Sequence, residues 1–220
     1  MKTKLKSFPS VCQKQKRNKN MIRTVIFDIG NVLAGFAWHE YYEKLGFDAA
    51  MADRLGRATV LSGDWNEYDR GCMSDEAIVS LFVENDPEIE AEIRQAVSSI
   101  TGIMTHYGYA VDWVKELKRK GYRVLVLSNI SRKILQECWL ALDFLPYMDG
   151  GILSFQDKLL KPMPEIYHLI LDRYHLKAEE CVFLDDMQMN VEAAKRLGIH
   201  GICFENQAQA MEELKKMGVE

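Results

Sequence analysis

Short apolar runs rich in β-branched residues, each ending at a polar side chain, limit the possible folds more than any other feature of this sequence. The clearest runs are residues 24–27, 123–127 and 181–184, and weaker ones lie at 151–154 and 201–204. Such runs are typical of strands that are buried on both faces. Helical patterns separate them, and this alternation predicts an α/β fold, a Rossmann-like parallel sheet with helices on both faces.

The helical patterns also suggest how the chain is organised. Residues 34–109 lie between the first two clear strands and are mostly helical in pattern. We therefore predict a helical cap domain at 34–109, inserted into a core domain formed by 21–33 and 110–220. Within the core we expect one helix over residues 134–140, and a later helix capped by Asn190.

The charge is distributed unevenly along the chain. Residues 1–20 contain seven Lys and Arg and no acidic residue, whereas residues 21–220 have 21 basic and 32 acidic residues, a formal charge of −11. An acidic body argues against a nucleic-acid-binding protein, and no apolar run is long enough to span a membrane. The basic leader lacks the apolar centre of a secretory signal. We expect a disordered leader or an upstream start ahead of Met21, the alternative being a tail that touches RNA or a membrane surface.

The cysteine pattern indicates the redox environment. Five cysteines, an odd number, show no CxxC spacing, so neither a disulfide framework nor a zinc site is predicted. Free thiols in a reducing cytoplasm are expected instead. The sequence does not indicate an oligomeric state.

Polar side chains follow the three clear strands where each one ends. Asp28, Ser128 and the pair Asp185 and Asp186 stand at these points, and Lys161 lies on the loop after the weaker strand at 151–154. Ligands of open parallel sheets bind outside the carboxyl ends of the strands. We therefore expect these side chains to meet at one site.

This set of groups suits phosphoryl transfer. The carboxylate of Asp28 can attack phosphorus and form an aspartyl-phosphate. Ser128 and Asn129 can hold the phosphoryl oxygens, and Lys161 can neutralise the developing charge. Asp186 can share a Mg²⁺ ion with Asp28, because Mg²⁺ prefers carboxylate, phosphate and water oxygens.

Four segments resemble the motifs of the haloacid dehalogenase (HAD) superfamily, in family order. They are FDIGNVL at 27–33, VLSN at 126–129, KPMPEIY at 161–167 and FLDDMQMN at 183–190. The sequence is similar to the helical-cap phosphatases of this superfamily. It resembles most the bacterial α-D-glucose-1-phosphate phosphatase-like subfamily, which shares the DxGNV form of the first motif and a cap segment like residues 65–76.

The resemblance implies a Mg²⁺-dependent phosphatase acting on a small phosphorylated metabolite such as a sugar phosphate, with no nucleic-acid or membrane partner. It implies that Asp28 is the nucleophile and that Lys161 is the stabilising cation. The remaining roles are phosphate binding by Ser128, Asn129 and Lys161, and metal binding by Asp28, Asp186, Asp185 and the backbone carbonyl of Gly30.

Gly30 is the main departure from the family pattern. Most HAD phosphatases carry there a second Asp that acts as general acid and base, a contribution of about a hundredfold or more. We therefore expect sugar-1-phosphates and aryl phosphates, which have good leaving groups, to react faster than alkyl phosphates.

The alternatives to a phosphatase are a non-catalytic protein that binds phosphorylated ligands, and a 2-haloacid dehalogenase. Dehalogenases need no metal, so the paired acids Asp185 and Asp186 argue against that reading, and a mutase would depend on the missing Asp.

Two cap residues are further candidates for the substrate pocket. Trp65 could present an aromatic face to a sugar, and Arg70 a cation to its phosphate. The alternative is that Trp65 and Tyr68 form the core of the cap and that Arg70 makes a structural ion pair.

Overall fold

The computed structural model describes residues 21–220, and the predicted leader lies outside these residues. Five parallel strands form the main sheet, and their bounds are Thr24–Phe27 (β1), Arg123–Ser128 (β4), Gly151–Leu153 (β5), Cys181–Asp185 (β6) and His200–Cys203 (β7). Across the sheet they lie in the order β5-β4-β1-β6-β7. The predicted α/β class and parallel sheet are confirmed.

Helices cover both faces of this sheet. The core helices are Ala110–Arg119 (α6), Arg132–Glu137 (α7), Ser154–Asp157 (α8), Pro164–Arg173 (α9), Gln188–Arg196 (α10) and Gln207–Lys216 (α11). In β1, Val25 and Phe27 pack into one hydrophobic cluster, and Ile26 between them packs into a second cluster on the opposite face. Because both faces are buried, the strand is apolar at every position, which is why it was recognisable in the sequence.

The segment between β1 and α6 is helical, as predicted, but it also contains two short strands. Its helices are Trp38–Lys44 (α1), Ala49–Ala58 (α2), Asp64–Arg70 (α3), Asp75–Asn85 (α4) and Glu90–Ser98 (α5). Strands Ala34–Phe36 (β2) and Met104–His106 (β3) pair antiparallel at the two ends of the segment. At three residues each, they are too short to show an alternating pattern. We propose that this ribbon joins a cap of residues 34–109 to a core of residues 21–33 and 110–220.

Two local expectations were wrong. The helix expected over 134–140 ends at Glu137, and the apolar residues that suggested its continuation, Trp139 and Leu140, are 63% and 66% exposed. Asn190 lies inside α10 and is buried, so it does not cap the helix. Within residues 21–220, no helix is both long and apolar enough to cross a membrane.

Gly151 should be essential to the pairing of β4 with β5. A Cβ atom at this position would lie 2.2 Å from the backbone oxygen of Val126, the residue that Gly151 faces across the two strands. Gly151→Ala should therefore lower the free energy of unfolding by about 1–3 kcal/mol, as measured by urea denaturation. Gly63→Ala is the matched control, because a Cβ at Gly63 meets nothing within 4 Å and the backbone there is already helical. Equal stability of the two variants would contradict this account.

Candidate active site

A cavity of about 250 Å³ opens at the carboxyl edge of the main sheet. Asp28 follows β1, Ser128 ends β4, and Asp186 follows β6, and all three line the cavity. These strands are hydrogen-bonded neighbours in the sheet. Parallel pairing therefore brings together side chains that lie about a hundred and sixty residues apart in sequence, as the sequence predicted.

Lys161 lies at the base of this cavity and is almost fully buried. Its Nζ atom is 2.7 Å from Asp28 Oδ1 and 2.7 Å from Asp185 Oδ2. The bond to Asp185 has hydrogen-bond geometry, whereas Asp28 Oδ1 is at ion-pair distance without an aligned hydrogen bond. Asp28 is thus held beside a buried cation at ion-pair distance.

Asn129 fixes the backbone that carries Lys161. Its side-chain oxygen accepts a hydrogen bond from the Lys161 N–H at 2.8 Å, and its amide nitrogen donates to the Lys161 carbonyl at 3.0 Å. Both polar ends of this side chain are therefore engaged. A contact of Asn129 with a phosphate would come from its backbone N–H or from the second N–H of its side-chain amide, which the bond to Lys161 leaves free.

The buried groups Asp28, Asp185 and Lys161 influence one another's ionisation. Burial raises the pKa of Asp28 to about 7, with Lys161 opposing the shift and Asp185 adding to it. Burial by itself would lower the pKa of Lys161, but the charges of Asp28 and Asp185 outweigh it and raise that pKa. Lys161 therefore remains a cation at neutral pH.

Three carboxylates form a site whose chemistry fits Mg²⁺. One oxygen each from Asp28, Asp185 and Asp186 lies within 4.8 Å of the others. Asp185 already accepts hydrogen bonds from Lys161, the Met187 N–H and Asn190. Asp186 accepts one from Asn31 at 2.9 Å. Asp28 and Asp186 therefore have more free lone pairs for a metal than Asp185, whose hydrogen bonds suit it to support the site.

The two cap residues named from the sequence occupy different places. Trp65 lines the cavity and also packs against Phe36 and stacks on Phe82 with ring centroids 5.8 Å apart. It thus combines the two alternatives, pocket wall and cap core. Arg70 does not line this cavity, but it lines an adjoining pocket that also contains Asn129 and Lys161. It also makes the ion pair of the structural alternative, with Glu67 at 3.2 Å.

Asp69, one helical turn after Trp65, also lines the cavity and was missed by the sequence reading. It is 6% exposed, and its Oδ1 atom is buried without a hydrogen-bond partner. Burial raises its pKa to about 8, the charge of Asp28 adds to this shift, and Lys161 opposes it. The available signal was its position four residues after Trp65, which places an acid on the apolar face of α3.

Comparison with known proteins identifies the family. A family model for haloacid dehalogenase-like hydrolases matches residues 22–198. The chain is 27% identical over 210 residues to mouse acyl-CoA dehydrogenase family member 10, covering 89% of this chain and 19% of that protein. It is 25% identical over 199 residues to the sesquiterpene phosphatase astK of Aspergillus oryzae, covering 89% and 96%. The chain spans about a fifth of the length of the first curated relatives it matches.

A solved structure shares the fold of this chain. The HAD family enzyme BT-2542 from Bacteroides thetaiotaomicron, in complex with magnesium and inorganic phosphate, superposes with a TM-score of 0.65 at 22% identity. The superposition covers 86% of this chain and 98% of that one, and at this identity it shows a shared fold. The family model covers well over half of the sequence and includes every strand-end residue of the cavity. The chain therefore belongs to the haloacid dehalogenase-like hydrolase family.

Proposed function

We propose that this protein is a Mg²⁺-dependent phosphatase that hydrolyses a small phosphomonoester, a sugar phosphate, through an aspartyl-phosphate on Asp28. The observation that carries the proposal is the arrangement at the base of the cavity. A buried lysine lies between two carboxylates, with its Nζ atom 2.7 Å from Asp28 Oδ1 and 2.7 Å from Asp185 Oδ2. A nucleophile beside a fixed cation is what displacement at a phosphorus atom requires.

The residues around Asp28 suit the first displacement. Asp28 attacks phosphorus, and the bond from phosphorus to the leaving oxygen breaks. Lys161 offsets the negative charge that gathers on the phosphoryl oxygens, and it needs no rearrangement to do so because Asn129 already holds its backbone. Ser128 is buried at the end of β4 and lines the cavity, which supports the role proposed for its hydroxyl as a donor to a phosphoryl oxygen.

Asp28, Asp186 and the carbonyl of Gly30 would hold Mg²⁺, with Asp185 supporting them through its hydrogen bonds. Gly30 lines the cavity beside Asp28. When bound, Mg²⁺ would supply positive charge to the phosphate and help orient it for attack. The hydrogen bond from Asn31 to Asp186 would keep that carboxylate directed into the site.

The size and the walls of the cavity support the proposed substrate class. A volume of about 250 Å³ is below the range of about 300–1,000 Å³ usual for larger organic ligands. The indole of Trp65 offers the flat apolar face on which a sugar ring can pack. The phosphatase name of astK and the bound phosphate of BT-2542 support phosphate chemistry in general. The sequence likeness to glucose-1-phosphate phosphatases supports the sugar.

We also propose that the protein works in the cytoplasm. The cysteines within residues 21–220, Cys72, Cys138, Cys181 and Cys203, are free thiols. This is the state expected in a reducing compartment.

Metal removal tests the proposed function. Treating the protein with EDTA should abolish hydrolysis of p-nitrophenyl phosphate, because the carboxylates of the site would lose the cation that they share with the substrate. Adding Mg²⁺ should restore the rate. The second measurement is a panel of phosphate esters, in which sugar phosphates should give the highest kcat/KM.

The same assays separate the alternatives. Release of chloride from 2-chloropropionate in the presence of EDTA would replace the phosphatase proposal with dehalogenase chemistry. Phosphate binding without turnover of any ester would instead indicate a non-catalytic binding protein. Turnover that is unaffected by EDTA and by added Mg²⁺ would contradict the role given to the metal.

A further inference from the structure

The proposed reaction needs a proton donor that the first motif does not provide. The leaving oxygen must gain a proton in the first step, and water must lose one in the second. The residue two positions after the nucleophile is Gly30, which has no side chain. Among the described residues, no atom lies within 4 Å of the place where a Cβ atom at Gly30 would stand, so no neighbouring group occupies the start of the missing side chain.

The described residues that line the cavity include one titratable group without an assigned role. Those with titratable side chains are Asp28, Asp69, Lys161 and Asp186. Asp28 is the proposed nucleophile, Lys161 the cation and Asp186 a metal ligand. Asp69 enters the same cavity from the cap, and it is 94% buried with an unpartnered oxygen. Leaving a buried carboxyl oxygen unpaired is unfavourable, and a substrate oxygen could satisfy it.

The core domain holds Asp69 in place. The Ser154 hydroxyl, on α8, donates a hydrogen bond to the Asp69 carbonyl at 2.6 Å. Lys158, just after α8, donates to the carbonyl of Gly71, which ends α3. Two bonds from α8 and its end thus fix the last turn of α3 against the core. The cap supplies the carboxyl group, but the core sets its position relative to Asp28.

We propose that Asp69 is the general acid and base of the reaction and takes over the role that Gly30 cannot fill. The assignment rests on the proposed phosphatase function. In the first step, the Asp69 carboxyl donates its proton to the leaving oxygen as Asp28 bonds to phosphorus, and the alcohol departs. In the second step, the Asp69 carboxylate takes a proton from water. The oxygen of that water bonds to phosphorus and displaces Asp28, which yields inorganic phosphate. Asp28 is then a carboxylate again, and Asp69 is again a protonated carboxyl group.

The electrostatic surroundings of Asp69 agree with this role. A group that gives and then takes a proton works best when its pKa lies near the working pH, and burial raises the pKa of Asp69 to about 8. Asp28 and Lys161 are the charged groups that influence it across the cavity, with opposite effects. By contrast, Asp64 on the same helix lies outside the cavity and accepts a hydrogen bond from Asn85.

Asp69→Asn should therefore change the dependence on the leaving group. With an alkyl phosphate such as glycerol phosphate, kcat should fall by about a hundredfold or more, because an alkoxide leaves poorly without a proton. With p-nitrophenyl phosphate, whose leaving group is a stable anion, the first turnover should slow by less than about tenfold. Later turnovers should slow further, because the water has lost its base. The expected trace is a burst of about one nitrophenolate per enzyme, followed by a slow phase.

This test measures both esters in wild type, in Asp69→Asn and in the matched control Asp64→Asn. The control should behave as wild type. Asp69→Ala, which removes the carboxyl group altogether, should show the same selectivity, and thermal unfolding of each variant establishes that it is folded. In the wild type, p-nitrophenyl phosphate should react only slightly faster than glycerol phosphate in the first turnover, because Asp69 supplies the proton that Gly30 cannot. The ratio of these two rates should grow about a hundredfold in Asp69→Asn.

Two results would overturn the role of Asp69 and leave the proposed function intact. One is an equal loss on both esters without a burst, and the other is no loss on either, in each case with an active wild type. A wild type that hydrolyses neither ester would overturn the proposed function itself. The two failures are therefore distinguishable.

Discussion

Replacing Asp28 with Asn should lower kcat for p-nitrophenyl phosphate by about four orders of magnitude or more, the scale seen when a covalent nucleophile is removed. An amide oxygen has the same shape as the carboxylate oxygen, but it is too weak a nucleophile to attack phosphorus. The fold should survive, because Asn removes a buried charge whose ionisation the site already opposes. The measurement compares kcat of wild type and variant at equal concentrations of folded protein.

Covalent trapping supplies a readout that does not depend on turnover. Wild-type protein quenched with acid during the reaction should carry one phosphate on the peptide that contains Asp28, and Asp28→Asn should carry none. Asp112→Asn, an exposed carboxylate on α6, is the matched control and should retain full activity. Activity of Asp28→Asn within tenfold of wild type, or phosphate trapped on another residue, would contradict the assignment of Asp28.

The parts of the site that the sequence predicted are those fixed by strand ends. β1, β4 and β6 are buried on both faces, so each strand is a continuous apolar run whose end is marked by a polar residue. Parallel pairing then requires Asp28, Ser128 and Asp185 to lie at one edge of the sheet. Lys161 could be placed for a similar reason, since its loop follows β5 at the same edge.

The parts that were missed depend on packing between distant elements. The position of Asp69 in the cavity depends on how α3 docks against α8, through Ser154 and Lys158, about ninety residues away in sequence. Asn190 has the residue type of a helix cap, but its amide bonds to Asp185 from inside α10. A preference read from neighbouring residues is overridden in such cases by a tertiary contact. The residues next to Asp69 and Asn190 in sequence give no information on these tertiary contacts.

Lys161→Met should affect both stability and activity. The side chain keeps its length and its apolar stem, but Asp28 and Asp185 lose the cation that lies 2.7 Å from each. Removing one partner from a buried ion pair costs about 3–5 kcal/mol, because the remaining charge stays buried without compensation. Urea unfolding in EDTA should show a loss of this size. The kcat of the remaining folded enzyme with Mg²⁺ should fall by about a hundredfold to a thousandfold.

A second substitution separates these two effects. Asp185→Asn in the Lys161→Met background removes one of the uncompensated charges, so the double variant should regain part of the lost stability. It should regain no activity, because the cation that offsets charge on the phosphoryl oxygens is still missing. Recovery of both would mean that Lys161 acts only by keeping the site folded. Recovery of stability alone would place Lys161 in the chemistry if the Asp185→Asn single variant, measured alongside, keeps more activity than the double variant, because Asp185 also supports the metal site.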